Sequence, residues 1–155
     1  MQDELVIARE PPRQTGVIRL LERSNAYAAS LYPSESNHMV SLDELEEADA
    51  SFFVARSGEA ILGCAALVGH ADGSGEIKRM FVDEAARGIK LGGQLLQTLE
   101  DEAVRRGLLI LRLETGIRQP EAIGLYRKAG YAEIPAFGNY KPDPLSLFME
   151  KQLRG

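Results

Sequence analysis

The sequence predicts an α+β fold in one domain, with a mixed, mostly antiparallel sheet flanked by helices. Two β-rich runs flank Ser57-Gly58-Glu59 in 51-SFFVARSGEAILGCAALVGH-70, a hairpin signal that makes the early sheet antiparallel. The strand 76-EIKRMFV-82, an amphipathic helix and the strand 108-LLILRLET-115 then form a crossover of the kind that joins parallel strands. The chain of 155 residues, 45% hydrophobic and 26% charged, is about one domain long and can bury a core.

Each element follows from local pattern. Residues 4–10, ELVIARE, read as an edge strand closed by Pro11-Pro12. In 13–33, Val17, Leu20, Leu21 and Ser24 recur near helical spacing and the run stops at Tyr32-Pro33. The polar stretch 34-SESNHMV-40 reads as a loop, and Ser41 with Glu44 forms a capping box opening a short helix over 42–48. Asp72-Gly73-Ser74-Gly75 marks a turn before the strand 76–82. Leu91, Leu95, Leu99 and Ala103 make an apolar stripe on a helix running to about Arg106, with Gly107 as its cap. The run 108–115 is apolar enough to predict a central strand buried on both faces. Pro120 suits the first turn of a helix that Gly130 ends, and 131–134 and 145–153 are the last strands. The predicted order is β-α-α-β-β-β-α-β-α-β-β.

Composition excludes several function classes. A net charge of −5 argues against a broad nucleic-acid footprint, which needs a basic patch. No run approaches the roughly 18 apolar residues of a membrane span, and MQDELVIARE lacks the basic-then-apolar order of a signal peptide. A cytoplasmic location is the resulting expectation. The single cysteine, Cys64, excludes an internal disulfide, and its apolar strand predicts a buried, inert thiol. Glu114 and Glu121 have no partner residues that would argue for a metal, so none is expected. The acidic run 100-EDE-102 is expected on the solvated face of its helix, pairing with Arg105 and Arg106.

One turn breaks local rules. Arg87, Gly88, Lys90, Gly92 and Gly93 sit where the helix after 76–82 begins. A cation at a helix N-terminus is unfavourable by about 0.3–1 kcal/mol, and glycine in a helix costs about 0.8–1 kcal/mol against alanine. Both features make sense if an anion such as a pyrophosphate rests on exposed amides, with glycines letting it approach closely. Neither GxxxxGK[ST] nor GxGxxG is present. The alternative is a flexible loop with solvated cations and a tight helix-to-sheet contact.

The stretch EIKRMFVDEAARGIKLGGQLLQTLEDEAVRRG resembles the cofactor motif of the GNAT superfamily of acyl-CoA N-acyltransferases: a strand, R/Q-x-x-G-x-G/A, then a helix. Downstream, 120-PEAIGLYRKAGY-131 resembles the family's A-x-x-L-Y-x-x-x-G-F/Y helix, and the combined resemblance covers about residues 4–153. The chain departs from the motif at Lys90, which stands at the first motif glycine.

The resemblance implies a splayed central strand pair and acetyl-CoA as cosubstrate. It places the diphosphate on Arg87, Gly88, Lys90, Leu91, Gly92 and Gly93. The pantetheine arm and the reacting carbonyl then lie along the backbone of Met80, Phe81 and Val82. Tyr126 would border the cofactor and act as general acid towards the departing thiolate, since a phenol near pKa 10 stays protonated at neutral pH. Glu76, on the same strand side as Lys78 and Met80 by parity, resembles the position that deprotonates the amine through water; the alternative is a strand-edge carboxylate paired with Lys78. The acceptor amine must lose a proton held near pKa 10.4. Glu35 and His38, in a polar cluster with Ser34 and Asn37, fall where the family builds its acceptor site, and Lys78 and Arg79 would bind an acidic acceptor. The loop 137-FGNYKPDPLSLFME-150 is similar to a small bacterial branch of the superfamily. His70 is expected to have no role.

The expected activity is N-acetyl transfer to a primary amine of a small or amino-acid-like molecule by direct attack in a ternary complex. The alternatives are an acyl-CoA-binding sensor without turnover and a protein or peptide N-acetyltransferase. A homodimer is compatible with the resemblance.

Overall fold

A computed structural model describes residues 4–34, 41–47, 49–86 and 90–153. Seven strands form one sheet: β1 (Leu5–Arg9), β2 (Ala50–Ser57), β3 (Ala60–Gly69), β4 (Ser74–Val82), β5 (Ile110–Gly116), β6 (Ala132–Ile134) and β7 (Ser146–Gln152). Four helices accompany them: α1 (Thr15–Leu31), α2 (Leu42–Leu45), α3 (Leu91–Arg105) and α4 (Pro120–Lys128). The strand order is β1-β2-β3-β4-β5-β7-β6, so β1 is an edge and β7 inserts between β5 and β6. All neighbours are antiparallel except β4 and β5, the pair joined by the α3 crossover. The element order and mixed sheet are those the sequence predicts.

Local signals place the boundaries. At α2 the Ser41 side chain accepts from the Glu44 backbone and the Glu44 side chain from the Ser41 backbone, the full capping box. Gly107 and Gly130, at φ 75° and 101°, end α3 and α4 in the left-handed region that glycine enters without a Cβ clash.

Strand alternation sorts the core onto two faces. Phe53, Ala65, Leu67, Ile77, Leu111, Leu113 and Met149 pack with Leu91, Leu95, Leu96 and Leu99 of α3. Phe52, Val54, Cys64 and Ala66 face the other way, against Val17, Leu20 and Leu21 of α1 and Leu45 of α2. Each fully buried leucine contributes about 1.5–3 kcal/mol, so the α3 stripe is a principal anchor of the sheet. Cys64 is fully buried, which pushes its thiol up to about 12 and leaves it inert, as expected. No helix among the described residues is long and apolar enough to cross a membrane.

Two expectations are corrected. Strand β5 is not buried on both faces: Leu111 and Leu113 are buried, but Ile110, Arg112 and Glu114 are only half-buried. That second face carries the Arg112–Glu150 ion pair at 2.8 Å and the loop before β7 rather than a helix.

In the run 100–102 only Asp101 is on a solvated face, since Glu100 and Glu102 are both 8% exposed. Glu100 accepts from the Tyr131 hydroxyl at 3.0 Å and from Lys151 Nζ at 2.9 Å. Glu102 accepts from Arg105 at 2.7 Å and from the Ser51 hydroxyl at 3.0 Å, while Arg106 turns to Ser51 and the Asp49 carbonyl. The Arg105 pairing is the expected one along the helix, whereas Ser51, Lys151 and Tyr131 lie on β2, β7 and the segment after α4, beyond the reach of helical periodicity.

The Arg105 hydrogen bond holds the Glu102 carboxyl below its ordinary 4.5 despite burial. A depressed folded-state value adds stability that is complete above the ordinary value and lost as pH falls through the folded one. Between about pH 6 and pH 3 the melting temperature of Glu102→Gln should therefore fall less steeply than that of wild type, a comparison calorimetry can make.

Candidate active site

The site begins where the sheet comes apart. β4 pairs with β5 only from Ser74 to Ile77, against Ile110 to Leu113; beyond this the strands diverge. On its other side β4 carries a bulge, in which Arg79 and Met80 together oppose Ala65 between the pairs Ala66–Lys78 and Cys64–Phe81. Arg79 sits at φ 50°, a left-handed conformation that non-glycine residues adopt at a cost. Its guanidinium is anchored on α1, donating to Asn25 Oδ1 at 2.8 Å and the Leu21 carbonyl at 3.3 Å. The bulge turns successive side chains out of step. Glu76 and Lys78 share one face as parity predicts, but Met80 swings to the α3 face and Phe81 to the α1 face.

A cleft of about 550 Å³ runs through the gap. Met80, Phe81 and Val82 form one edge, Glu114, Thr115 and Gly116 the other, and Tyr126 and Leu125 of α4 close one wall. At one end stands the start of α3. Its N-cap, Lys90, is left-handed at φ 60°, the conformation a motif glycine supplies. No side chain caps this end and no acidic residue stands in the first turn, so the first amides keep their hydrogen-bonding capacity for an anion. A Cβ on Gly92 would lie 3.1 Å from Leu125 Cδ2, so glycine here lets α4 close on α3 beside the cleft. The tight contact is helix to helix, not helix to sheet.

The cleft walls are polar where chemistry would need them. Tyr126 is 6% exposed, and burial first, then the Glu114 carboxylate, pushes its phenol far above the ordinary value of 10. It therefore stays a proton donor at any physiological pH. Across the gap the Tyr140 hydroxyl donates to Glu76 Oε2 at 2.6 Å. The Lys78 ammonium lies 2.9 Å from the same carboxylate, donates to the Tyr140 hydroxyl and stands 4.7 Å from the centre of its ring. His70 Nε2 lies 2.9 Å from Glu76 Oε1. At the cleft margin the Tyr32 hydroxyl accepts from the Arg118 amide at 3.0 Å.

The family model described as "Acetyltransferase (GNAT) family" matches residues 16–131. The chain belongs to the GNAT acetyltransferase family. It is 49% identical to an IAA acetyltransferase of Azospirillum brasilense, over 96% of this chain and 98% of that protein. A crystal structure from Klebsiella pneumoniae, assigned as an acyl-CoA N-acyltransferase, is 37% identical with TM-score 0.82, covering 97% and 98% of the two chains. PaiA N-acetyltransferase of Thermoplasma acidophilum, solved in complex with coenzyme A, shares the fold at TM-score 0.78 and 20% identity, over 96% and 99% of the chains.

In this GNAT protein the cleft brings together Lys78, Arg79, Met80, Phe81, Val82, Lys90, Leu91, Gly92 and Tyr126, all expected at the site. Glu76 stands behind them and borders a second hollow instead, while Gly93 is exposed on α3 outside the cleft lining. Arg79 reaches the cleft, but its guanidinium turns to Asn25 and Leu21 of α1. Glu35, His38, Arg87 and Gly88 lie outside the described residues. Sequence reasoning missed Tyr140, Glu114, Tyr32 and the contact of His70 with Glu76. Only Tyr140 carried a signal, lying in the 137–150 loop already similar to one branch of the family.

Proposed function

We propose that this GNAT acetyltransferase moves the acetyl group of acetyl-CoA to a primary amine of a small, amino-acid-like molecule, by direct attack in a ternary complex. One observation carries the reading: the cleft passes through the β4–β5 gap, with a buried phenol on one wall and the Lys78–Tyr140–Glu76 cluster on the other. The residues present fit the donor. The uncapped amides of Leu91 and Gly92 and the Lys90 ammonium would hold the diphosphate. The free edges of β4 and β5 would accommodate the pantetheine arm as an added strand.

Acetyl-CoA supplies an activated thioester carbonyl and a thiol leaving group. The chain supplies three functions. Backbone donors along the bulged segment Arg79–Val82 are fixed in place to stabilise developing charge on the carbonyl oxygen. Tyr126 protonates the leaving sulfur, which departs as a thiol of pKa near 8.5. Glu76 removes a proton from the amine, acting through the Tyr140 hydroxyl it already binds. The similarity to an IAA acetyltransferase supports acetyl transfer and a small acceptor.

The test has two parts. Coenzyme A or acetyl-CoA at a hundred times its Kd should stabilise the protein by about 2.7 kcal/mol, a rise of roughly 5–10 °C in Tm for a chain of this length. A thiol-release screen with acetyl-CoA over amines, amino acids and peptides should then find turnover. No shift at millimolar coenzyme sinks the donor assignment; a shift with no thiol released by any amine points to a sensor.

A further inference from the structure

An alkylammonium must lose a proton before its nitrogen can attack, and the cleft itself contains no exposed carboxylate of Glu76 to take it. We infer that this proton leaves through the Tyr140 hydroxyl to Glu76 and on to His70, emerging in the second hollow away from the donor. The inference rests on the transfer reading above.

The placement of the groups dictates the order. Glu76 borders the second hollow and not the cleft, whereas Tyr140 and Lys78 border both. An amine in the cleft therefore meets Tyr140 or Lys78 first. Of these two the Lys78 ammonium has no lone pair, so only the phenol oxygen can accept a proton; Glu114, also on the cleft edge, already accepts from the Ser146 hydroxyl at 2.7 Å. Burial, followed by the Glu76 carboxylate, pushes the Tyr140 phenol well above its ordinary range, so it does not wait as a phenolate. It must take the amine's proton on oxygen as its own passes to Glu76 Oε2, 2.6 Å away. Lys78 pairs with the same carboxylate at 2.9 Å.

Glu76 Oε1 faces His70 Nε2 at 2.9 Å, so a half-turn of the carboxyl carries the proton taken on Oε2 to the imidazole. An imidazole can accept at one ring nitrogen and release from the other, and the His70 side chain is 44% exposed, so the second nitrogen can reach water. Glu44 and Glu47 beside α2, Asp72 before β4 and Asp143 before β7 line the same hollow, with Arg112 of β5 and Lys141 opposing them. Asp72 and Arg112 hold one another at 3.3 Å. The protons balance: two leave nitrogen as the ammonium becomes an amide, the N–C bond forms and the C–S bond breaks. One proton ends on the thiol, and the relay carries the other to solvent.

The decisive variant is His70→Gln, whose amide can still donate to Glu76 but cannot carry a proton. With acetyl-CoA and a panel of primary alkylamines from ethylamine to phenethylamine, its kcat/KM should fall about tenfold, against about a hundredfold for Tyr140→Phe. Imidazole in the buffer should restore the His70→Gln rate. Hydroxylamine, neutral at neutral pH, should lose no more than about twofold in the same variant. An unchanged coenzyme-induced Tm shift shows that the fold and donor site are intact. A wild-type rate in His70→Gln, or a deficit that imidazole does not repair, overturns the relay while leaving the transfer reading standing. A wild type that binds coenzyme yet acetylates no amine in the panel and no amino acid or peptide overturns the transfer reading, and the relay with it.

Discussion

Tyr126→Phe is expected to lower kcat by about a hundredfold while leaving coenzyme affinity within about twofold. The substitution removes one hydroxyl and keeps the ring, whose edge-on contact with Tyr131, centroids 5.8 Å apart, holds α4 against the segment that follows it. Packing is thus preserved and only the proton donor is lost. Burial and Glu114 both raise the phenol, so Tyr126 should not ionise on the alkaline side of the pH–rate profile. Any alkaline limb measured in wild type should therefore persist in Tyr126→Phe. Single-turnover kinetics, with the coenzyme-induced Tm shift as the binding readout, would check both statements. A variant that releases thiol at the wild-type rate removes Tyr126 from the chemistry.

Gly116→Ala is expected to destabilise the protein by about 1–3 kcal/mol, the usual range for overpacking, lowering Tm by roughly 2–10 °C. A Cβ at this position would lie 1.9 Å from the Tyr32 hydroxyl oxygen and 2.1 Å from the ring carbon that bears it. Tyr32 is itself buried and holds the Arg118 amide, so it cannot swing aside without releasing that bond. Because both residues line the cleft, the variant should lose activity as well as stability. Tyr32→Phe leaves the ring carbon in place, whereas Tyr32→Ala removes the whole colliding ring, so combining Tyr32→Ala with Gly116→Ala should cost less than the sum of the two single changes. Thermal unfolding of the two single variants and the double variant measures this. Full additivity would mean that the contact does not decide the cost.

Much of this was legible in the chain. Leu91, Leu95, Leu99 and Ala103 announced α3 because helical spacing is a local property. Ser41 with Glu44 announced α2 for the same reason. The turn before α3 stood out because Lys90 and Gly92 violate local preferences where a helix begins, and only a site or a tight contact compensates for such violations. The bulge at Arg79 was not legible. Arginine has no preference for left-handed backbone, and what holds it there is Asn25 and Leu21 on a helix far away in sequence. Parity consequently failed at Met80. The burial of Glu100 and Glu102 was hidden likewise, since helical periodicity cannot reveal that Lys151 and Ser51 wait on neighbouring strands. His70 looked idle because its partner, six residues on, faces it only after the turn at Gly73 folds β4 back.

The short run over which β4 meets β5 has a mechanical consequence. Along the sheet, only four matched residues of β4 and β5 join two half-sheets, β1 to β4 and β5 to β7, with α3 crossing between them. Past Ile77 and Leu113 each half presents a main-chain edge that the other does not satisfy. A donor threaded between them, as proposed above, would act as a zip for the molecule, so amide hydrogens along 78–82 and 114–116 should exchange with deuterium more slowly in its presence. Catalytic occupancy and the cohesion of the two halves are then the same event.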